Sequence, residues 1–300
     1  MAFVSNHIGE LAALLVTFFW TFSALVFEHA SKKVGSLVVN IIRLIIGFVF
    51  LTIFNFIRRG SVLPLDATSG NWIWLTLSGL VGFVFGDLFL FKSYEVIGSR
   101  LSMLIMTLAP LFTAFFGFII LGEHLRLFHF LGMAITFMGI SIAIFNRDRK
   151  GEKVSLKLSP KGILYALGGA VGQSLGLVLS KLGMKDYDPF SATQIRIIAG
   201  IAGFSVLITL IKRWGGTLTA IRNRPVMKSI TLGAFFGPFL GVSFSLVSIK
   251  YTAAGIASTI MALVPVFLIV PAIALHREKV TIAEIAGAVI SVAGIAVFFI

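Results

Sequence analysis

The chain has 300 residues, 58% of them apolar and 12% charged, against roughly 45–50% and about 25% in ordinary soluble domains, which excludes a water-soluble globule. Cysteine is absent, which excludes disulfides, thiolate chemistry and Cys-based metal sites. The formal charge of +13, from 25 Lys and Arg against 12 Asp and Glu, would fit nucleic acid in a soluble chain, but here it fits loops held beside an anionic leaflet, with membrane lipid and not nucleic acid as the partner.

Hydropathy predicts ten apolar helices, each about twenty residues and so able to cross ~30 Å of hydrocarbon. The first, 9–28, follows eight residues with no Lys or Arg and is too long for a signal peptide, so it is expected to be retained. Trp20 and Ser23 lie within it. The second, 37–57, carries Arg43; the third, 72–91, carries Asp87; the fourth, 99–121, carries Met106, Thr107 and Pro110; the fifth is 127–145. The longest polar stretch, 146–161, reads as a basic linker. The sixth span, 162–183, carries Gln173 and Ser174; the seventh, 191–211, carries Arg196; the eighth is 229–249; the ninth, 253–275, carries Met261 and Pro265; the tenth is 282–300.

The chain resembles itself. At an offset of 155, Gly82 pairs with Gly237, Gly86 with Gly241, Met106 with Met261, Pro110 with Pro265, Glu123 with Glu278, Gly132 with Gly287 and Gly139 with Gly294. At an offset of 153, Gly9 pairs with Gly162, Arg43 with Arg196 and Gly47 with Gly200. Apolar coincidences would be cheap in such a chain, but paired Arg, Pro, Glu and Gly are not. The expected organisation is a first five-helix repeat at 1–145, the linker at 146–161 and a second repeat at 162–300. Five is odd, so the second repeat enters the membrane from the opposite side. The fold class is all-α and polytopic, with ten transmembrane helices in two inverted repeats, the arrangement that permits alternating access around a central site.

This five-plus-five pattern resembles the EamA-type exporters of the drug/metabolite transporter superfamily. The likeness rests on the Pro-containing fourth and ninth spans running into Leu121-Gly122-Glu123 and His276-Arg277-Glu278, with Gly-rich fifth and tenth spans behind them. The resemblance implies a ten-helix secondary transporter, often an exporter of amino acids or related metabolites, with a cavity between the halves. It covers nearly the whole chain and is specific for architecture, not for substrate.

The intramembrane polar residues supply the candidate site. An ionised side chain at the centre of a membrane helix costs at least ~2.5–3.5 kcal/mol and faces a partner or water. Arg43 and Asp87 lie at similar depths, so an ion pair or a shared vestibule is expected. Arg196 is the repeat mate of Arg43, but the mate of Asp87 is Val242; Arg196 is expected to find water, Glu10 or the Asp186 and Asp188 loop, and the broken symmetry makes Arg43, Asp87 and Arg196 gating candidates. Trp20 and its mate Gln173, with Ser23, Met106, Thr107, Ser174 and Met261, form the candidate substrate site, mostly apolar with a few hydrogen-bonding positions. Helix-to-helix bonding and plain packing are the alternatives for these residues. Pro110 and Pro265 are expected to kink their spans near mid-bilayer. Small residues every four positions, as in Ser78, Gly82, Gly86 and Gly233, Gly237, Gly241, predict close helix packing. Glu123 and Glu278 are expected to serve the N-termini of the helices that follow them.

No phosphate-binding Gly-x-x-x-x-Gly-Lys-[Ser/Thr] loop is present, so no ATPase function is expected of the chain itself. The five histidines sit in loops or at span ends without metal-ligand spacing, and neither a metal nor another cofactor is expected. Two readings stay open: a secondary transporter of a small metabolite, or a membrane enzyme or lipid-handling protein in which Arg43 and Arg196 hold headgroups. Loops on the side of the termini carry six Lys and Arg and those on the linker side seventeen, which places the linker side in the cytoplasm of a prokaryotic cell membrane.

Overall fold

The structure is a computed structural model and describes residues 6–145, 159–267 and 282–299. The expectations for Pro271, His276, Arg277, Glu278 and most of the linker fall outside the described residues. Every described element is helical: α1 (Ile8–Val34), α2 (Ser36–Arg59), α3 (Ser69–Gly79), α4 (Leu88–Met106), α5 (Ala109–Phe116), α6 (Leu127–Phe145), α7 (Pro160–Met184), α8 (Pro189–Leu210), α9 (Trp214–Arg222), α10 (Arg224–Ala234), α11 (Val242–Tyr251), α12 (Ala254–Met261), α13 (Val264–Phe267) and α14 (Ile282–Ala296). Six helices are long and apolar enough to cross a membrane, and four shorter apolar ones accompany them. The short α9, in the connection after the seventh span, has no counterpart among the predicted elements.

Boundaries follow local chemistry. Thr68 caps α3 in a reciprocal box with Asn71, and Asp188 caps α8 by accepting the Ser191 N–H, with Pro189 in the first turn where its missing N–H costs nothing. Gly60 ends α2 and Gly122 ends the fourth span, each in the left-handed region.

The third and fourth spans are helical without an intervening loop, yet the chain reverses between them. Val96 and Ile97 pack on Gly162 at the start of α7, whereas Ala109 returns to accept a hydrogen bond from Ser174 of the same helix, at 2.7 Å.

Two departures from regular α-helix recur at repeat-related positions. Wide π-helical turns occupy Leu80–Asp87, joining α3 to α4, and Phe235–Gly241, joining α10 to α11. The fourth and ninth spans are interrupted before their prolines, by turns whose residues Leu108 and Ala262 keep right-handed helical angles. The α4 segment stops at Met106 and α12 at its mate Met261, and after a two-residue turn a new helix begins with Pro110 or Pro265 in its first turn. A proline there forfeits no helical bond, so the strain expected of a continuous kinked span is relieved by restarting the helix. Hydroxyls from neighbouring helices serve carbonyls at both breaks: Ser174 bonds Ala109 O and Thr17 bonds Ile260 O at 3.0 Å.

The two repeats pack antiparallel about a pseudo-two-fold axis. Gly132 lies against Gly294 and Gly139 against Gly287, contacts that exchange when each residue is replaced by its repeat mate. Thr136 and its mate Ser291 sit between them and hydrogen-bond each other's carbonyls at 3.5 and 3.4 Å. The pattern continues in the second and seventh spans, where Gly47 meets Ile197 while Gly200 meets Leu44. Such reciprocity is what a two-fold contact requires.

A Cβ on Gly139 would sit 2.4 Å from Ser291 N and 2.6 Å from Gly287 O. Gly139→Val is therefore expected to destabilise the folded protein by roughly 1–3 kcal/mol, as over-packing does. Gly215→Ala, with nothing within 4 Å, should leave the melting temperature nearly unchanged. Equal melting of the two variants in detergent would contradict the packing.

Candidate functional site: two arginines around one buried aspartate

The third span is the spine of the site. Its small residues bring α7 within backbone contact: a Cβ on Gly172 would meet Gly86 Cα at 2.7 Å, and one on Gly176 would meet Gly82 Cα at 2.7 Å. Ser78 Oγ donates to Gly176 O at 2.6 Å and pairs with Ser180 Oγ. Asp87 ends the π turn and is buried, 5% exposed.

The structure brings Arg43, Asp87 and Gln173 together. An Arg43 guanidinium nitrogen donates to Asp87 Oδ2, and Gln173 Nε2 donates to Asp87 Oδ1. The Arg43 guanidinium also lies over the Phe27 and Phe91 rings, 5.4 and 5.6 Å from their centroids. Arg196 approaches the same carboxylate from the other repeat. Its backbone carbonyl lies against Gly79, and its terminal nitrogen lies beside Gly82, one turn further along the third span toward Asp87. Its guanidinium sits 4.9 Å from the Phe83 centroid, near enough to feel the Asp87 charge without pairing with it.

The partners expected for Arg196 are engaged elsewhere. Glu10 accepts from Thr252 Oγ1 at 2.6 Å, and Asp188 pairs with Arg58 and caps α8. Arg196 faces the third span and not the loop two turns behind it.

The remaining candidates have varied placements. Trp20 is half-buried, with its Nε1 against Gly241 of the eighth span, the mate of Gly86. Large Phe19 and Trp20 thus stand where the sixth span has Gly172 and Gln173. Ser23 Oγ bonds the Trp20 carbonyl within its own helix, 3.2 Å away, and Ser174 is held at the fourth-span break. Thr107 is buried in the turn of that break, half-buried Met106 precedes it, and Met261 is in the core. Glu123 does not serve the helix that follows it. It accepts the Ala254 N–H of α12 in the opposite repeat at 2.8 Å, and Lys181 Nζ lies 2.6 Å from its other oxygen. Among the described residues no group of three or more His, Asp or Glu could hold a metal.

Residues that sequence reasoning passed over fasten the face bearing the termini. Arg58 pairs with Asp188, Arg59 with Asp66 and Ser191, and Tyr187 donates to Asp66 at 2.8 Å. Beneath them Asn55 donates to Gln194, which donates in turn to Thr52 Oγ1 and Val62 O. On the linker face the mates of Arg58, Arg59, Asp188, Ser191 and Gln194 are Ile211, Lys212, Gly35, Val38 and Ile41. Among the described residues that face carries no such zipper. Instead a recess of about 400 Å³ is lined by residues 34–38, Lys212, Arg213, Gly215 and Gly216. Of these residues the sequence singles out only Asp188, as a candidate partner for Arg196.

The sequence model of the EamA-like transporter family matches residues 7–145 and 160–300. An uncharacterized transporter of Clostridium kluyveri is 27% identical over 191 residues, covering 61% of this chain and 58% of that one. Solute carrier family 35 member G1 of Homo sapiens is 23% identical over 150 residues, covering 48% of this chain and 41% of that one. The chain thus spans about half the length of these relatives. A protein crystal structure superposes with a TM-score of 0.74 at 18% identity, covering 98% of this chain and 96% of that one; it supports the fold alone.

The buried cluster gives two expectations. Asp87→Asn, which strips Arg43 of its counter-charge, should cost roughly 3–5 kcal/mol, as breaking a buried pair does, and Arg43→Asp combined with Asp87→Arg should recover part of it. Independent, additive losses in a melting-based mutant cycle would contradict the pair. In the zipper, burial raises the Asp188 pKa, but bonds from Arg58 and the Ser191 N–H outweigh it and hold the pKa below the ordinary carboxylate value. A depressed carboxylate contributes its stability in full above the unfolded pKa of about 3.9 and loses it as pH falls through the lower folded value. Burial, and then the bond to Asp66, pushes the Tyr187 hydroxyl up to about 12, so it remains a donor at neutral pH. The stability difference between wild type and Asp188→Asn should therefore be constant from about pH 5 to 9 and shrink below about 3.9. A difference that varies across neutral pH would contradict this assignment.

Proposed function

Because the chain belongs to the EamA-like transporter family, we propose that it is a secondary transporter that moves a small solute across a membrane by alternating access. All ten apolar segments cross the bilayer in this reading, the broken fourth and ninth spans included. The observation that carries it is the asymmetry between faces: two antiparallel halves enclose a buried Arg–Asp–Arg cluster, zipped shut on the face of the termini and recessed at the mate positions on the other. Exchange of these two arrangements would expose the cluster to each side in turn. Discontinuous helices and π turns at repeat-related positions supply backbone able to rearrange near mid-bilayer.

The cargo in this reading is an amino acid or related metabolite, and the direction is export. Arg43, Asp87, Gln173 and Arg196 recognise its polar end, while Trp20, Met106 and Met261 contribute apolar surface. The linker face lies in the cytoplasm of a prokaryotic cell membrane, and on the opposite face Arg58, Arg59 and Lys181 are neutralised by Asp188, Asp66 and Glu123. The lipid-handling alternative asks Arg43 and Arg196 to hold headgroups, but Arg196 is buried and Arg43 is occupied by Asp87.

Purified protein in liposomes tests the proposal. Saturable counterflow of a radiolabelled amino acid, competed by unlabelled solute and reduced at least tenfold in Asp87→Asn, is expected. Translocation of fluorescent lipid without any solute counterflow would overturn it.

A further inference from the structure

We propose that Arg196 is the docking point for a monoanionic carboxylate on the carried solute, with Arg43 and Asp87 as a fixed, already neutral pair beside it. This rests on the transport reading and adds the chemical class of the cargo. Arg196 is 5% exposed, and its Nε is buried with no hydrogen-bond partner. The guanidinium makes no hydrogen bond or ion pair with any described residue; its one specific contact is the face of Phe83.

Five donors on a buried, permanently charged group call for an acceptor, and the described acids Asp87, Glu10, Asp188 and Glu123 are committed elsewhere. Both Asp87 oxygens already accept, one from Arg43 and one from Gln173. Glu10 is held by Thr252, Asp188 by Arg58, and Glu123 by Ala254 and Lys181. The repeat mate makes the contrast internal: Arg43 has its carboxylate on the third span, whereas at the equivalent position on the eighth span Arg196 would meet Val242. Gly82, without a side chain, leaves the terminal nitrogens room.

Charge selects among anions. Two guanidinium ions and one carboxylate leave the cluster at +1, which a monoanion balances and a phosphate monoester dianion exceeds. The planar fork of arginine matches a carboxylate with two parallel N–H bonds, and the Phe83 ring fixes the plane of that fork from one side.

The test uses the full chain in lipid nanodiscs, melted with and without sodium phenylacetate, benzoate, 4-methylpentanoate and 3-phenylpropanoate, all monoanions at neutral pH. The corresponding amides and inorganic phosphate are run at equal ionic strength. Without solute, Arg196→Gln is expected to melt at or above wild type, because it removes an unpaired buried charge, while Asp87→Asn melts lower. At least one carboxylate should raise the wild-type melting temperature by several degrees, its amide should not, and Arg196→Gln should lose the rise. The proposal is overturned if solute-free Arg196→Gln falls as far below wild type as Asp87→Asn, if amides or phosphate match the acids, or if no carboxylate stabilises the protein. Binding and flux are read separately. Carboxylate binding at Arg196 without liposome flux would remove the transport reading and leave this site standing, whereas flux of a neutral solute unaffected by Arg196→Gln would do the reverse.

Discussion

Helices in hydrocarbon gain nothing by hiding apolar surface from lipid that is equally apolar, so their association depends on how closely backbones approach. Here that constraint is met by glycine against glycine in antiparallel pairs. Gly132 and Gly139 on α6 interlock with Gly294 and Gly287 on α14, and Gly82 and Gly86 lie on Gly176 and Gly172. Because the contacting residues of α6 and α14 are themselves repeat mates, this packing also fixes the pseudo-two-fold axis. Every residue on one face then has a defined counterpart on the other, and the places where counterparts differ in chemistry are the places to look for function.

Three such differences matter. Asp87 is matched by Val242, so one aspartate stands between two arginines and pairs with only one. Gln173 is matched by Trp20, so the carboxylate is steadied by an amide in one half while an indole fills the space beside Gly241 in the other. The Arg58, Asp188 and Gln194 zipper is matched by Ile211, Gly35 and Ile41, so polar fastening on one face corresponds to a recess on the other. A perfectly symmetric pair of halves would have no reason to favour one face. Under the proposed exchange of faces, these substitutions would bias the protein toward the arrangement seen, and a solute that paired with Arg196 would alter that bias only through unequal affinity for the two arrangements.

Much of this was legible in the sequence because its signals are of the kind that survive without three-dimensional context. Paired Gly, Arg and Pro at fixed offsets announced the repeat, and the matching depths of Arg43 and Asp87 brought those two residues together on paper. The breaks at Met106 and Met261 were not legible. Proline is compatible with either a kink or a restarted helix, and the choice turns on hydroxyls such as Thr17 and Ser174 that arrive from other helices. Nor could spacing reveal that Glu123 serves Ala254, since the two meet only after the repeats dock. Spacing likewise could not show that, of the partners expected for Arg196, Glu10 and Asp188 are held by other groups while its side chain climbs along the third span.

The central functional claim is that the two faces exchange their arrangements. Since the chain has no cysteine, thiol-reactive spin labels can be placed at will, and the mate pairs Ser61/Asp186 on the face of the termini and Lys33/Trp214 on the linker face avoid the zipper itself. Pulsed distance measurement in nanodiscs across a series of solutes and pH values is the most direct test. The account requires the two distances to move in opposition, one lengthening as the other shortens. Distances that stay fixed under conditions supporting flux, or that lengthen together, would contradict it.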